Sequence, residues 1–453
     1  MMAAIRGGLI ASAMSVFTAF AAPAWAETLA DALASAYRNS NLLEQNRAVL
    51  RAADEDFAGA IAALRPVVSW LASATYSDSP AGDSLDASLS LAAQWTVYDF
   101  GRRELQIAAA KQAVLATRDA LVQVEQQVLL AAVAAYMDVR NANENLAITE
   151  NSVKVIGEEL KAAQDRFSVG EVTRTDVALA EARLASARAS LAAAQGALAA
   201  ARESYRAATG GYPGSLAVPP RTPELPRSSD EARSIAQRIH PSIRQAQEQA
   251  KAADILVELA AAQRRPSLDL STSVSRIEGG ENSATIRLQL GQTIYAGGAL
   301  PAAHRQAIAN RDAARAALLQ SGVIIAQNVG NSWAAIDVAR AQITATQRQV
   351  EAATIAYEGV REEARLGART TLDVLDTEQD LLDAKAARIN AETQLQVATY
   401  SLLASMGLLT ADYLKLGVPT YDPEAYFNAV KTAPHTSVQG ESLDRVLKAI
   451  GKK

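Results

Sequence analysis

The chain has no cysteine among its 453 residues. That excludes disulfides, thiol nucleophiles, thiolate metal sites and a lipid-accepting N-terminal cysteine. Histidine is nearly as scarce: His240, His304 and His435 are scattered without ligand spacing, so capping, surface or packing roles are expected of them rather than metal binding. Aromatics reach only 5% although hydrophobic residues make up 49%, because alanine carries the apolar fraction. Alanine favours helix and lets helices approach closely, which predicts slender helical packing. There is no lysine and arginine cluster, phosphate loop, nucleophile elbow or dinucleotide fingerprint. Nucleic-acid binding, enzymatic activity and a cofactor are therefore not expected.

Residues 1–26 have the pattern of an export signal. Arg6 supplies the charged start, Leu9 to Ala22 is apolar, and Ala24-Trp25-Ala26 fits a small-x-small cleavage site before Glu27. Without that segment 43 basic residues face 49 acidic ones, a formal charge of −6. Downstream of it no run of about 18 apolar residues is apparent, so no transmembrane helix is expected. A chain of this kind that enters a membrane must do so with strands.

What is present is said twice. Arg65-Pro66 recurs as Arg265-Pro266, Tyr98 ahead of Phe100-Gly101 recurs as Tyr295 ahead of Gly297-Gly298, and Gly210 recurs as Gly407. Two tandem copies of one unit are therefore expected, the first over 27–210 and the second over 227–409. Between them 211–226 is a proline-rich linker, expected to be extended, with Pro213, Pro219, Pro220, Pro223 and Pro226. The tail over 410–453 loses both periods, and only Leu443 to Ile450 has helical character.

Each unit opens with helical spacing, Thr28-x-x-Asp31 forming a capping box at the first start, and this helix runs to about Leu64 before Pro66. A period of two follows, predicting strand pairs over 67–98 and 267–295. Leu85, Leu89, Leu91, Trp95 and Val97 share one face, and Asp86, Ser88, Ser90, Gln94, Thr96 and Tyr98 the other. In the second unit Ile286, Leu288, Leu290 and Ile294 oppose Thr285, Arg287 and Gln289. Each run has the length that a tilted strand needs to cross a bilayer.

Long helices come next. The stretch 102–166 contains no proline and permits one helix of roughly 97 Å at ~1.5 Å per residue. A second helix over 172–208 carries Val177, Leu184, Leu191, Leu198 and Tyr205 every seven residues, shadowed by Ala180, Ala187, Ala194 and Ala201. This is a coiled-coil seam with close spacing. The second unit predicts helices over 299–364 and 370–407, with Val374, Leu381, Leu395 and Leu402 in register and Arg388 breaking the series. Four strands per chain are too few for a membrane barrel, and an open edge in lipid is forbidden, so closure must come from other subunits.

The order helix, strand pair, long helix, glycine turn, helix, given twice, resembles the TolC family of outer-membrane efflux and secretion channels. So do the joints Tyr98-Asp99-Phe100-Gly101-Arg102 and Tyr295-Ala296-Gly297-Gly298, and the turns Arg166 to Val177 and Leu366 to Asp376. The resemblance covers Thr28 to about Leu409. It implies a homotrimer in the outer membrane of a Gram-negative cell, contacting outer-membrane lipid. Its fold would be mainly α with a twelve-stranded membrane β-barrel, continued by a long coiled-coil periplasmic tunnel. It also implies docking to a periplasmic adaptor (membrane fusion) protein and to an inner-membrane pump or ABC transporter. The chain would then be the passive exit duct of a tripartite efflux pump or a type I secretion system. A periplasmic coiled-coil adaptor or scaffold is the competing reading; it explains signal and heptads but not four two-faced strands.

By the same resemblance the periplasmic aperture is formed by Thr175, Asp176, Arg369, Asp373 and Asp376. Asp373 and Asp376 would form carboxylate rings selective for cations, and Arg369 would latch to Thr175 and Asp176. The tips Val169, Gly170, Leu366 and Gly367 would contact the adaptor. Thr173-x-x-Asp176 and Thr370-x-x-Asp373 also fit capping boxes, which gives each aspartate a purely structural role as the alternative. Ala364 stands where the family pattern has a tyrosine, so part of the closing network is absent or replaced, with Arg365 and Glu363 the candidates to replace it.

Overall fold

The computed structural model describes residues 26–434 apart from 79, 81–83, 220–221 and 278–281, together with 441 and 445. The export segment up to residue 25, part of the first strand turn, Pro220, His435 and all of the expected tail helix but Arg445 lie outside the described residues. The elements run α1 (Leu29–Asn39), α2 (Asn41–Ala62), β1 (Val67–Ser77), β2 (Ser84–Tyr98), α3 (Arg102–Ser168) and α4 (Arg174–Thr209). Then follow α5 (Ser229–Ile239), α6 (Pro241–Ala262), β3 (Ser267–Ile277), β4 (Ser283–Gly291), α7 (Ala299–Arg365), α8 (Thr371–Ser405) and α9 (Pro423–Val430).

The opening helix of each copy is two helices rather than one. Ser40 and His240 sit at the joints with extended backbone, and each caps the helix that follows: Ser40 Oγ accepts from Leu43 N at 3.2 Å, His240 Nδ1 from Ser242 N at 3.1 Å. A side-chain acceptor at such a position stops one helix and starts the next, and Pro241 holds His240 out of the helical region. The joints are receiving sites for the far ends of α4 and α8. Gly210 (φ +87°) lies so close to Asn39 that an added Cβ would fall 2.8 Å from the Asn39 Cβ, and Asn39 Nδ2 donates to Thr209 O at 2.8 Å. Gly407 (φ +80°) meets His240 in the same way, an added Cβ falling 2.9 Å from the His240 Cα.

The core gathers where the middle of α3 meets α1, α4, α8 and the linker. Val128, Leu129, Ala132, Val133 and Tyr136 pack with Leu33, Tyr37, Tyr205, Leu403 and Leu409. Contrary to the sequence expectation, α3 contains an 18-residue window of mean hydropathy 1.3, long and apolar enough to cross a membrane by length and composition. Burial of the Val128–Tyr136 stretch in this core accounts for apolar character there. Tyr136 Oη donates to Glu27 O (3.1 Å) and Ala217 O (2.7 Å), and Glu27 forms a parallel bridge with Leu216. The linker is thus pinned to the body by backbone bonds.

The coiled-coil seams sit on the helices as heptads require. Leu184, Leu198, Tyr205, Ala180 and Ala187 are buried on α4, and Val374, Leu381, Leu402, Ala384 and Ala391 on α8. At the Arg388 break the seam passes to buried Ile389, while Arg388 turns outward to Glu392 at 3.9 Å. The tail is more ordered than its lost periodicity suggests. Asp422 Oδ1 caps α9 by accepting from Glu424 N at 2.8 Å, and Phe427 packs on Phe57 with ring centroids 5.1 Å apart. Eight residues are too few to display a helical period.

The four strands form one antiparallel sheet in the order β1-β2-β3-β4. Cross-strand partners Trp70, Leu91, Val274 and Ala284 make one apolar row, and Trp95, Leu270 and Leu288 another. Two boundaries differ from the alternation. A bulge between Thr96 and Tyr98 pairs Tyr98 with Leu268, which moves Tyr98 from the polar to the apolar face. β4 ends at Gly291, so Ile294 and Tyr295 lie beyond it, and Gln292 Nε2 instead donates to Arg264 O at 3.0 Å. At the first strand-to-helix joint Asp99 is buried and caps α3, its Oδ2 accepting from Arg103 N at 2.9 Å and Arg103 Nε at 3.0 Å.

One acid at the crossing of α3, α7 and α8 is poorly matched. Glu378 is 4% exposed, and its Oε2 has no hydrogen-bond partner among the described residues. Desolvation, then repulsion from Glu159, pushes its carboxyl up to about 7 from 4.5, against the pull of Arg361 and Lys385. Arg361 is shared with Glu159, 3.7 Å away. A carboxyl that holds its proton more tightly folded than unfolded contributes most below its unfolded value, and that contribution is lost as pH rises from 4.5 towards 7.

Glu378→Gln keeps the neutral form, so it is expected to raise the melting temperature at about pH 8 and to leave it nearly unchanged at about pH 4. Far-ultraviolet circular dichroism of the purified protein checks this, and an equal shift at both values contradicts it. Gly407→Ala is expected to cost about 1–3 kcal/mol from its positive φ and the His240 clash. Gly211→Ala, with no atom within 4 Å of the added Cβ, serves as the mild control in the same melts.

Candidate functional site

The far ends of the two hairpins, α3 to α4 and α7 to α8, are built alike. After α3, Gly170 (φ +82°) reverses the chain, with Gly170 N donating to Phe167 O at 3.0 Å and Glu171 N to Arg166 O at 3.0 Å. After α7, Gly367 (φ +80°) does the same through Gly367 N to Ala364 O (3.1 Å) and Ala368 N to Glu363 O (2.9 Å). Left-handed backbone at this position is why glycine stands there. Each turn then opens the next helix with a complete capping box, Thr173 with Asp176 and Thr370 with Asp373.

The two tips converge on one cleft of about 510 Å³. Asp176 and Thr173 line it from the first hairpin, and Leu366, Gly367 and Arg369 from the second. Of the five aperture residues the cleft gathers Asp176 and Arg369, while Thr175, Asp373 and Asp376 are not part of its lining, and the partners of both differ from those the resemblance implies. Arg369 Nε donates to Glu363 Oε2 at 2.9 Å, within its own hairpin, rather than to Asp176. This ion pair, and then Asp373, hold the Arg369 guanidinium above its usual range. Asp176 is engaged by its cap: Oδ2 accepts from Thr173 N (2.8 Å) and Thr173 Oγ1 (2.7 Å). The Thr173 hydroxyl first, then its N–H, hold Asp176 below the usual carboxylate range. Thr175 is exposed on the first turn of α4.

Asp373 and Asp376, three residues apart on α8, differ in their company. Asp373 Oδ2 accepts from Thr370 N (3.0 Å) and Thr370 Oγ1 (2.9 Å), and these bonds, the N–H first, lower its pKa. Asp376 is exposed and accepts from Arg183 Nη2 of α4, a bond between the two hairpins. Sequence reasoning missed Arg183 as well as the buried Glu378. A signal for Arg183 existed, because it stands one heptad after Asp176 and so on the same stripe of α4. The proposed adaptor tips are open to solvent, with Val169 70% and Leu366 79% exposed and Gly170 and Gly367 beside them. Among the described residues no group of three or more His, Asp or Glu is placed to hold a metal ion.

Residues 32–211 and 233–408 match the family described as outer membrane efflux protein, and these segments flank the linker. The chain is 34% identical over 416 residues to outer membrane efflux protein BepC of Brucella suis biovar 1 (strain 1330), across 90% of this chain and 91% of that protein. It is 26% identical over 452 residues to outer membrane protein TolC of Escherichia coli (strain K12), across 94% and 91% respectively. The open-state MtrE outer membrane channel of Neisseria gonorrhoeae has the same fold, with a TM-score of 0.74 at 21% identity over 85% of this chain and 91% of that one. These likenesses set aside the non-membrane scaffold and give the sheet its place in the outer membrane, with the helices extending into the periplasm. The chain belongs to the outer membrane efflux protein family, the family of TolC.

Proposed function

We propose that three copies of this chain close a twelve-stranded barrel in the outer membrane and continue it as a helical tunnel, forming the passive exit duct of a tripartite efflux pump or a type I secretion system. The observation that carries this reading is the sheet. Its outer strands β1 and β4 each pair on one side only, and apolar side chains such as Trp70 (73% exposed), Leu85 (68%) and Ile286 (79%) stand uncovered on it. Lipid would cover such a face, and only further strands can satisfy the two edges. Smaller closure is disfavoured, because two chains give only the minimal eight strands, too narrow to continue helices about 100 Å long as an open tunnel.

In this reading the exposed Val169 and Leu366 seat a periplasmic adaptor, and the energy for transport comes from the inner-membrane pump that the adaptor holds. The cleft shared by Asp176 and Arg369 is the closed end of the duct. Arg369 reaches Asp176 and Thr175 of a hairpin across the three-fold axis or exchanges with Glu363, so Glu363 stands in for the missing tyrosine at Ala364.

Outer-membrane extracts run without boiling are expected to give a heat-modifiable trimer, and recovery of monomer alone in native extracts would refute the closure. Crosslinkers at Ser168 or Ala368 are expected to capture the adaptor in transport-competent cells. In planar bilayers, Arg369→Ser combined with Asp176→Ala is expected to raise single-channel conductance several-fold. No rise over wild type would sink the latch.

A further inference from the structure

The bond between Arg183 and Asp376 joins α4 of the first copy to α8 of the second, and its neighbours fix both ends of it. Leu375, next to Asp376, is 3% exposed and packs with Ile156, Ala180 and Leu184 in a small apolar cluster. Leu184 is in turn the neighbour of Arg183. The backbone on each side of the pair is thus set by a buried leucine, while the pair itself stands at the rim, with side chains 41% and 53% exposed. Behind it lies a polar cavity of about 210 Å³, lined by Asn145, Thr149, Ser152 and Gln379 as well as Arg183. The contact is therefore built from both hairpins, and water has access to it.

The charge at the second tip can now be apportioned. Glu363 cancels Arg369, and Arg183 cancels Asp376. Among the described residues Asp373 is hydrogen-bonded by the uncharged donors of Thr370, and Arg369, itself paired with Glu363, acts on it only through space. Two aspartates that look equivalent in the sequence thus differ in direct contact with a cation: Asp376 has one in Arg183, and Asp373 does not.

We propose that Arg183 is a specificity-determining residue of the duct: it neutralises Asp376 while the hairpins are together and unmasks it when they part. Ion preference in the closed conformation then rests on Asp373, and opening adds a second carboxylate per chain. Because Arg183 moves with the first hairpin and Asp376 with the second, separating α4 from α8 breaks the pair by geometry alone. An exposed pair of this kind is weak enough to be broken during gating, and repetition in each subunit makes the change collective. The inference rests on the reading of the tips as the narrow end of the duct.

Reversal potential and single-channel conductance of the purified full-length protein in planar bilayers, under a potassium chloride gradient, test it. Asp373→Asn is expected to lower the cation preference, which establishes the tips as the selective constriction. Arg183→Ala is expected to raise cation preference and conductance together, each by about twofold. Asp376→Asn leaves the Arg183 charge unpaired, and it is expected to raise conductance while lowering the cation preference. The exchange Arg183→Asp with Asp376→Arg rebuilds the pair in reverse and is expected to return both readouts to wild type. A reversal potential unmoved by Arg183→Ala, while Asp373→Asn shifts it, overturns the inference and leaves the entrance reading standing. Failure of the exchange to restore either readout also overturns it. If Asp373→Asn and Arg183→Ala both leave the reversal potential unmoved, the tips are not the constriction and both readings fall.

Discussion

Backbone hydrogen bonding at the edges of the sheet is the constraint on which the other features depend. A peptide N–H or C=O left unpaired in hydrocarbon costs several kcal/mol, and β1 and β4 each carry a full row of them. The strands are long enough to lie in a bilayer, and their apolar rows run across all four of them. In the proposed barrel the two edges of this sheet are paired by strands of other copies. The helices respect the same requirement, since α3 and α7 follow β2 and β4 after short joints and carry whatever symmetry the sheet acquires down the length of the molecule.

The duplication supplies the pieces, and departures from it distinguish the two hairpins. Both copies have a split opening helix, a glycine that docks on the split, and a glycine-turned tip with a capping box. Among the differences between the copies, two stand at opposite ends of the helices. At the membrane end, Asp99 and Phe100 of the first joint have Ala296 and Gly297 as counterparts, so a buried acid braces only the first. At the other end, Leu179 of α4 stands where α8 has Asp376, and it is this acid that reaches across to Arg183.

Much of the fold was legible because its signals are periodic and long. Strand alternation, the heptads of α4 and α8 and the glycine turns each repeat, so each is read twice. Three features were not legible, for separable reasons. The breaks at Ser40 and His240 rest on single capping side chains, helped at the second by Pro241, and helical spacing continues through them. The exit of Tyr98 to the apolar face depends on a bulge, which shifts register without changing composition. The ion pairs at the tips depend on which side chains the packing brings together. Position in the chain identified Arg369, Asp373 and Asp376 as candidates, yet it could not show that Glu363 and Arg183 would hold two of them.

The glycine joints also bear on the order in which the chain acquires its structure. Asn39 meets Thr209 across 170 residues, closing a loop that contains one whole copy and nothing of the other. Gly407 on His240 closes the equivalent loop in the second copy. The entropy of closing a loop grows only slowly with its length, so each copy can lock on itself without waiting for its twin. The contacts that do join the copies, such as the core shared by Tyr136 and Leu403, need both halves to be present. The first loop is therefore complete in sequence by Thr209, whereas the shared core waits for Leu403.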